Sequence, residues 1–231
     1  MQFTLYVLDK VWGPNPMKVG IFLEQLGLEY EVKFKSMNDD PQNGVKGEEF
    51  LKICPNGRTP ALVDHKNNDF VVWESGAILK YLASKYDDSK QYAGKTVEEQ
   101  ATIDEWLFFQ CTGHSPAQGN LFYSLKYWPS KYNEEAPKNV VVRFRDETNR
   151  VLSVYEQQFK QQAEKYGEDK MWLVYDHATT ADFSCIPWFG ILSRFSGDMG
   201  LSLDEYPHVS KYIQKAMALP ASKKIFEKLQ F

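Results

Sequence analysis

The chain has 231 residues, 43% of them hydrophobic and 15% aromatic, with a net charge of −4 and a pI of about 5.7. This is enough apolar material for one large domain or two small ones, and neither half is basic, which argues against a nucleic-acid partner. No apolar run approaches the ~18 residues of a membrane helix. The opening MQFTLYVLDK has no basic region followed by a long apolar one, so no signal peptide is expected. Cys54, Cys111 and Cys185 are odd in number and far apart, and no Asn-x-Ser/Thr site occurs, which fits a reduced, cytoplasmic protein.

Residues 3–8 (FTLYVL) predict a buried strand, 9–16 a loop with Gly and two Pro, and 17–26 a helix with Val19, Phe22, Leu23 and Leu26 at helical spacing. Gly27 suits a helix stop. A second strand is expected over 30–34, a polar loop over 37–47 and a short helix over 48–52.

The most informative stretch is 55–82, PNGRTPALVDHKNNDFVVWESGAILKYL. Two short apolar runs, 61–63 and 70–73, predict antiparallel strands joined by a polar turn at 65–69, with a helix opening at Glu74 or Ser75 and ending near Tyr86. Thr59-Pro60 precedes the first run, and X-Pro is the only bond that is readily cis. A cis bond would turn the N–H and C=O of Thr59 outward, toward an extended ligand. The helix start offers free N–H groups and a positive dipole end to a carboxylate, and Glu74 can hold an ammonium. Together these describe a site for a small zwitterionic peptide.

The order βαβ then ββα predicts an N-terminal thioredoxin-like α/β domain over 1–87. Beyond a polar linker at 88–95, no strand pattern appears, and 96–231 predicts an all-helical domain. Its helices are expected at 97–111, 139–166, 179–192, 205–219 and 221–229, with a kink or interruption at 112–119. Thr179-Thr180-Ala181-Asp182 reads as a capping box with a folding role.

In a thioredoxin-like fold the loop after strand one carries the reactive group, because the helix start stabilises an anion. Here the loop, which includes Val11, has no Cys, Ser or Tyr. Asn15 is the side chain able to donate to a thiolate there, with Trp12 more remote; Asn15 is equally read as an N-cap ahead of Pro16. His65, His114, His177 and His208 are widely separated, so no metal site is expected. Cys54 and Cys111 have apolar neighbours and read as buried thiols.

The segments PNPMKV at 14–19, PNGRTPALVD, WESGAILKYL and WLFFQCTGHSP resemble the glutathione transferase superfamily. Within it they resemble the fungal branch related to the yeast nitrogen-catabolite regulator that forms a prion, and the bacterial nu-class transferases. The likeness runs over nearly the whole chain. Pro16 stands where the branch usually has Gly, and the relative's Asn-rich prion segment is absent, so that aggregation is not expected. The resemblance implies glutathione as co-substrate, no metal, and a homodimer. It implies that Asn15 donates to the glutathione sulfur as the catalytic group and that Thr59 and Pro60 present the edge for the cysteinyl part. Glu74 would take the γ-glutamyl ammonium and Ser75 the γ-glutamyl carboxylate. Lys46 and Lys52 are the candidates for the glycyl end, although a Lys in a polar loop is also read as solvated. His114 is placed at the substrate cleft or, alternatively, as a polar residue of a kinked helix. Trp106, Phe108, Phe109, Phe122, Tyr123, Tyr127 and Trp128 read as core, dimer contacts or pocket lining. The expected activity is glutathione-dependent transfer, leaning toward disulfide or peroxide reduction of a small substrate. The alternative is a non-catalytic regulatory or ligand-binding protein on the same fold.

Overall fold

A computed structural model describes residues 1–9 and 12–229; Val11, assigned above to the loop after the first strand, lies with Lys10 outside the described residues. The chain divides into two compact units, Met1–Lys95 together with Ala218–Phe231, and Thr96–Met217.

The first unit is built on four strands, β1 (Phe3–Leu8), β2 (Tyr30–Lys35), β3 (Ala61–Asp64) and β4 (Phe70–Trp73), in the order β2-β1-β3-β4. β1 and β2 are parallel, while β1–β3 and β3–β4 are antiparallel. A parallel pair needs a crossover, and α1 (Pro14–Gln25) supplies it. β1 is buried on both faces, so its run, Thr4 apart, is apolar rather than alternating. On one face Phe3 meets Tyr86 of α3 (Ser75–Tyr86) edge to face at 5.2 Å. On the other, Tyr6, Ala61 and Val63 cluster with Val45, Cys54 and Phe50 of α2 (Glu48–Ile53). The turn between β3 and β4 closes through Asn68 and Asp69 at φ 55° and 53°, a left-handed conformation that Asn and Asp tolerate.

Two expectations change here. α1 begins at Pro14, not at 17: Pro14 and Pro16 both fall in the first turn, where the missing N–H groups have no helical acceptor to lose. The last helix, α10 (Pro220–Lys228), belongs to the first unit rather than to the helical one. It packs on α1 at Gly20, where an added Cβ would come within 2.8 Å of the Trp12 ring and 3.3 Å of Ile225. Lys224 pairs with Glu24 of α1 at 2.5 Å.

The second unit is helical: α4 (Val97–Phe109), α5 (Ser115–Phe122), α6 (Trp128–Tyr132), α7 (Lys138–Tyr166), α8 (Thr180–Met199) and α9 (Pro207–Met217). A Thr96/Glu99 capping box opens α4. The kink or interruption expected at 112–119 takes the form of a π turn within continuous helix. A π-helical turn at Gln110–His114 absorbs one extra residue and the chain continues into α5, with Pro116 in the first turn; a second π turn, Tyr123–Tyr127, leads into α6. α5 and α6 carry no apolar periodicity and are missed from sequence for that reason. α8 runs past Pro187 to Met199 and stops at Gly200 with φ 66°. Its Thr179/Asp182 box is present as expected. The core centres on Tyr155, Phe159, Phe189 and Tyr212, with Phe159 and Tyr212 stacked at 4.1 Å. Trp106 and Phe109 pack on Tyr155, whereas Phe108 and Tyr127 are exposed. Cys54 and Cys185 are buried, but Cys111 is only partly so. Among the described residues no helix is long and apolar enough to cross a membrane.

Candidate functional site

Four pieces of the first unit converge on one small recess of about 70 Å³: the first turn of α1, the loop after α2, the end of β4 and the start of α3. It is lined by Asn15, Cys54, Asn56, Arg58, Thr59, Pro60, Trp73, Glu74 and Ser75. The sheet order produces this convergence. β3 lies between β1 and β4, pairing Ala61 with Tyr6 on one side and Trp73 on the other. The chain entering β3 therefore runs between the residues that follow β1 and those that follow β4.

The Thr59-Pro60 bond is cis, as expected, and Thr59 lies ahead of the paired residues of β3. Glu74 is the N-cap of α3 and has φ 70° and ψ 118°. For a non-glycine residue this backbone is held at a cost of order 1–3 kcal/mol, and such residues concentrate at functional positions. Its side chain makes no cap bond, so the first N–H groups of α3 are not capped from there, and a helix start of this kind favours an anion. Ser75, the first residue of α3, is buried.

Asn15 is not the helix cap. Gly13 holds that position, and Asn15 is the second helical residue, with its side chain against the recess. Of its two readings, capping is therefore excluded. Arg58, Asn56, Cys54 and Trp73 are lining residues that sequence reasoning did not single out. The signal for Arg58 was available: it is the cation next to the Thr59-Pro60 edge. The Cys54 thiol donates to the Arg58 carbonyl oxygen at 3.3 Å and so ties the two ends of this loop together.

Three predicted residues lie elsewhere. The Lys46 ammonium donates to the Asn56 carbonyl oxygen at 2.8 Å, which puts it at the back of the lining loop rather than in the recess. Lys52 is paired with Glu49 at 2.9 Å on the solvent face of α2, three residues away on the same helix side. This hydrogen bond, with the attraction of the carboxylate, raises the Lys52 pKa. His114 is not among the residues lining this recess. It is 0% exposed in the helical unit, hydrogen-bonded to Gln118 at 2.8 Å and packed 4.9 Å from the Phe189 ring. It is the last residue of the π turn. Among the described residues no three His, Cys, Asp or Glu side chains gather in a way that would hold a metal ion.

The recess thus combines an extended backbone edge, an anion-seeking helix start, a carboxylate, a guanidinium and an amide donor at a second helix start. That set offers chemistry for a carboxylate, an ammonium and an extended backbone.

Residues 1–84 match the family model for the glutathione S-transferase N-terminal domain and residues 113–220 that for the C-terminal domain. Glutathione S-transferase 1 of Schizosaccharomyces pombe is 35% identical, over 98% of this chain and 96% of that protein. The crystal structure of the glutathione transferase URE2P6 from Phanerochaete chrysosporium, in complex with oxidized glutathione, is 40% identical with a TM-score of 0.82, over 99% of this chain and 96% of that one. The nitrogen regulation fragment of the yeast prion protein Ure2p is 31% identical with a TM-score of 0.84, over 98% and 96%. The chain belongs to the glutathione S-transferase family.

Proposed function

We propose that the chain is a cytoplasmic, homodimeric glutathione transferase that binds glutathione in this recess and uses its thiolate to reduce small disulfides or peroxides. What supports the reading most is that Asn15, Thr59 and the adjacent pair Glu74-Ser75, drawn from three separate segments, line one recess. In this reading Thr59 and Pro60 align the cysteinyl backbone, Glu74 takes the γ-glutamyl ammonium, and Ser75 with the α3 N–H groups takes the γ-glutamyl carboxylate. Arg58, inside the recess, is a better partner for the glycyl carboxylate than Lys46 or Lys52. The sulfur lies by Asn15 at the α1 N-terminus.

A free thiol has a pKa of ~8.5; the α1 dipole and the Asn15 amide N–H favour its anion, and a fall toward ~6.5 leaves it mostly thiolate at pH 7. Asn cannot accept the proton, which leaves to solvent; the amide acts by stabilising charge. The thiolate attacks one sulfur of a disulfide, forming a mixed disulfide and releasing the other half as a thiolate. A second glutathione thiolate then attacks the mixed disulfide. The products are oxidised glutathione and two thiols of the former substrate, with two electrons transferred.

The test is glutathione-dependent reduction of hydroxyethyl disulfide by the wild-type protein and by Asn15→Ala. Turnover is expected, falling ~10²-fold in the variant, the loss typical of one donor to a developing anion. Turnover unchanged in the variant would reject the role of Asn15. Folded wild-type protein that binds glutathione but turns over no disulfide, peroxide or aryl halide would favour the second reading, a regulatory or ligand-binding protein. The likeness to the nitrogen regulation fragment of Ure2p motivates that alternative.

A further inference from the structure

Lys18 follows Asn15 by one turn of α1 and so shares its face. It is 1% exposed, among the largest fully buried side chains of the protein. Lysine is almost never buried to this extent, because its ammonium loses hydration that only dipoles or negative charge can replace. Helical side chains lean back toward the helix N-terminus, so Lys18 reaches toward the end of α1 that borders the recess. Its Nζ donates to Ser75 Oγ at 3.3 Å, and Ser75 is one of the lining residues.

The ammonium has three donors and no acceptor. In that bond the Ser75 oxygen is the acceptor, which leaves its hydroxyl proton available to another partner. Ser75 is also the first residue of α3, so that proton and the first N–H groups of α3 belong to the same wall of the recess. A positive charge behind a neutral hydroxyl strengthens it as a donor and adds to the field of the helix dipole. We propose that Lys18 is a positioning residue for anion recognition: its buried ammonium fixes Ser75 Oγ as a donor to the γ-glutamyl carboxylate of glutathione and supplies the charge that this carboxylate meets. The proposal rests on the glutathione reading of the recess. It makes a Ser hydroxyl backed by Lys18, rather than an exposed basic side chain, the source of charge selectivity at that end of the peptide.

The experiment compares two ligands by calorimetry: glutathione, and its analogue with the γ-glutamyl α-carboxylate replaced by a carboxamide. Lys18→Met keeps the length and the apolar stem but removes the charge. It is expected to weaken glutathione by about tenfold or more while changing the analogue by less than about twofold, because the lost term is charge-assisted. Lys18→Arg, which restores the charge, is expected to recover most of the glutathione affinity. Equal weakening of both ligands in Lys18→Met, or no recovery with Arg, would overturn the proposal and reduce Lys18 to packing. If the Met variant fails to fold, Lys18→Gln takes its place with the same two outcomes, and equal binding of the two ligands by the wild type overturns the proposal. Wild-type protein that binds neither ligand removes the glutathione reading and this proposal with it.

Discussion

Replacing Asp182 with alanine should destabilise the helical unit by roughly 3–5 kcal/mol. The magnitude comes from the partners stranded by the substitution. The carboxylate is 0% exposed and accepts the Thr179 N–H at 2.8 Å, the Leu173 N–H at 3.0 Å, the Thr179 hydroxyl at 3.1 Å and the Tyr212 hydroxyl at 3.2 Å. The Thr179 hydroxyl can rotate to another acceptor. The two backbone N–H groups and Tyr212, which is itself buried, cannot reach water, and each buried donor without a partner costs ~1–3 kcal/mol. Against this, alanine relieves the burial of the charge, which pushes the Asp182 carboxyl pKa upward despite its donors. Removing one side of a buried polar network usually costs more than that relief returns. Urea denaturation followed by tryptophan fluorescence would measure the loss. With a slope of ~2–3 kcal/mol per molar, the midpoint should fall by about 1–2 M. A loss below ~1 kcal/mol would refute the reasoning, since it would mean that Leu173, Thr179 and Tyr212 find other acceptors or water.

Two further outcomes follow from the structure. Arg58→Ala should raise KM for glutathione about tenfold with kcat nearly unchanged, as expected for loss of a ground-state carboxylate partner, whereas Lys46→Ala should change it less and Lys52→Ala not measurably; a larger loss for either lysine would reassign the glycyl end. Burial lowers the pKa of Lys215 from 10.5 to about 8, so between those values the unfolded chain binds more protons than the folded one and this group's contribution to stability rises with pH, being fully present above 10.5 and lost as pH falls through about 8; in a comparison of wild type with Lys215→Met by denaturation at pH 7.5 and 10, the wild type should gain relative to the variant, and a constant difference would exclude the shift.

The fold of the first unit was legible because local signals there agree with the global arrangement. β1 is, Thr4 apart, an apolar run, α1 has an apolar stripe, and the turn before β4 is written in Asn and Asp. The site was legible where its chemistry comes from backbone geometry that only certain residues permit, as with Thr59-Pro60 and the Glu74-Ser75 helix start. It was not legible where position depends on packing. Lys52 and Arg58 are both cations near the same loop in sequence, and only the rotation of α2 turns Lys52 toward Glu49 while Arg58 remains in the recess. His114 shows the same limit in the helical unit. Its sequence left open a place at a cleft and one as a polar residue of a kinked helix, and packing decides for a buried position at the end of a π turn. The placement of α10 follows from Gly20, whose missing side chain admits Trp12 and Ile225, a close approach that periodicity cannot report.

The choice of an amide at Asn15 has a consequence for how the proposed chemistry responds to pH. A tyrosine, serine or cysteine at that place would bring a titratable or nucleophilic group of its own. An amide has neither. If the sulfur beside Asn15 belongs to glutathione, the main proton lost as activity rises is the thiol's own. The pH profile of kcat/KM should then have a single limb set by bound or entering thiol, and Asn15→Ala should move that limb upward as well as lower the rate. A structural role for Asn15 would lower the rate and leave the limb where it was. Position of the limb, more than size of the loss, therefore separates an electrostatic role for this amide from a scaffolding one.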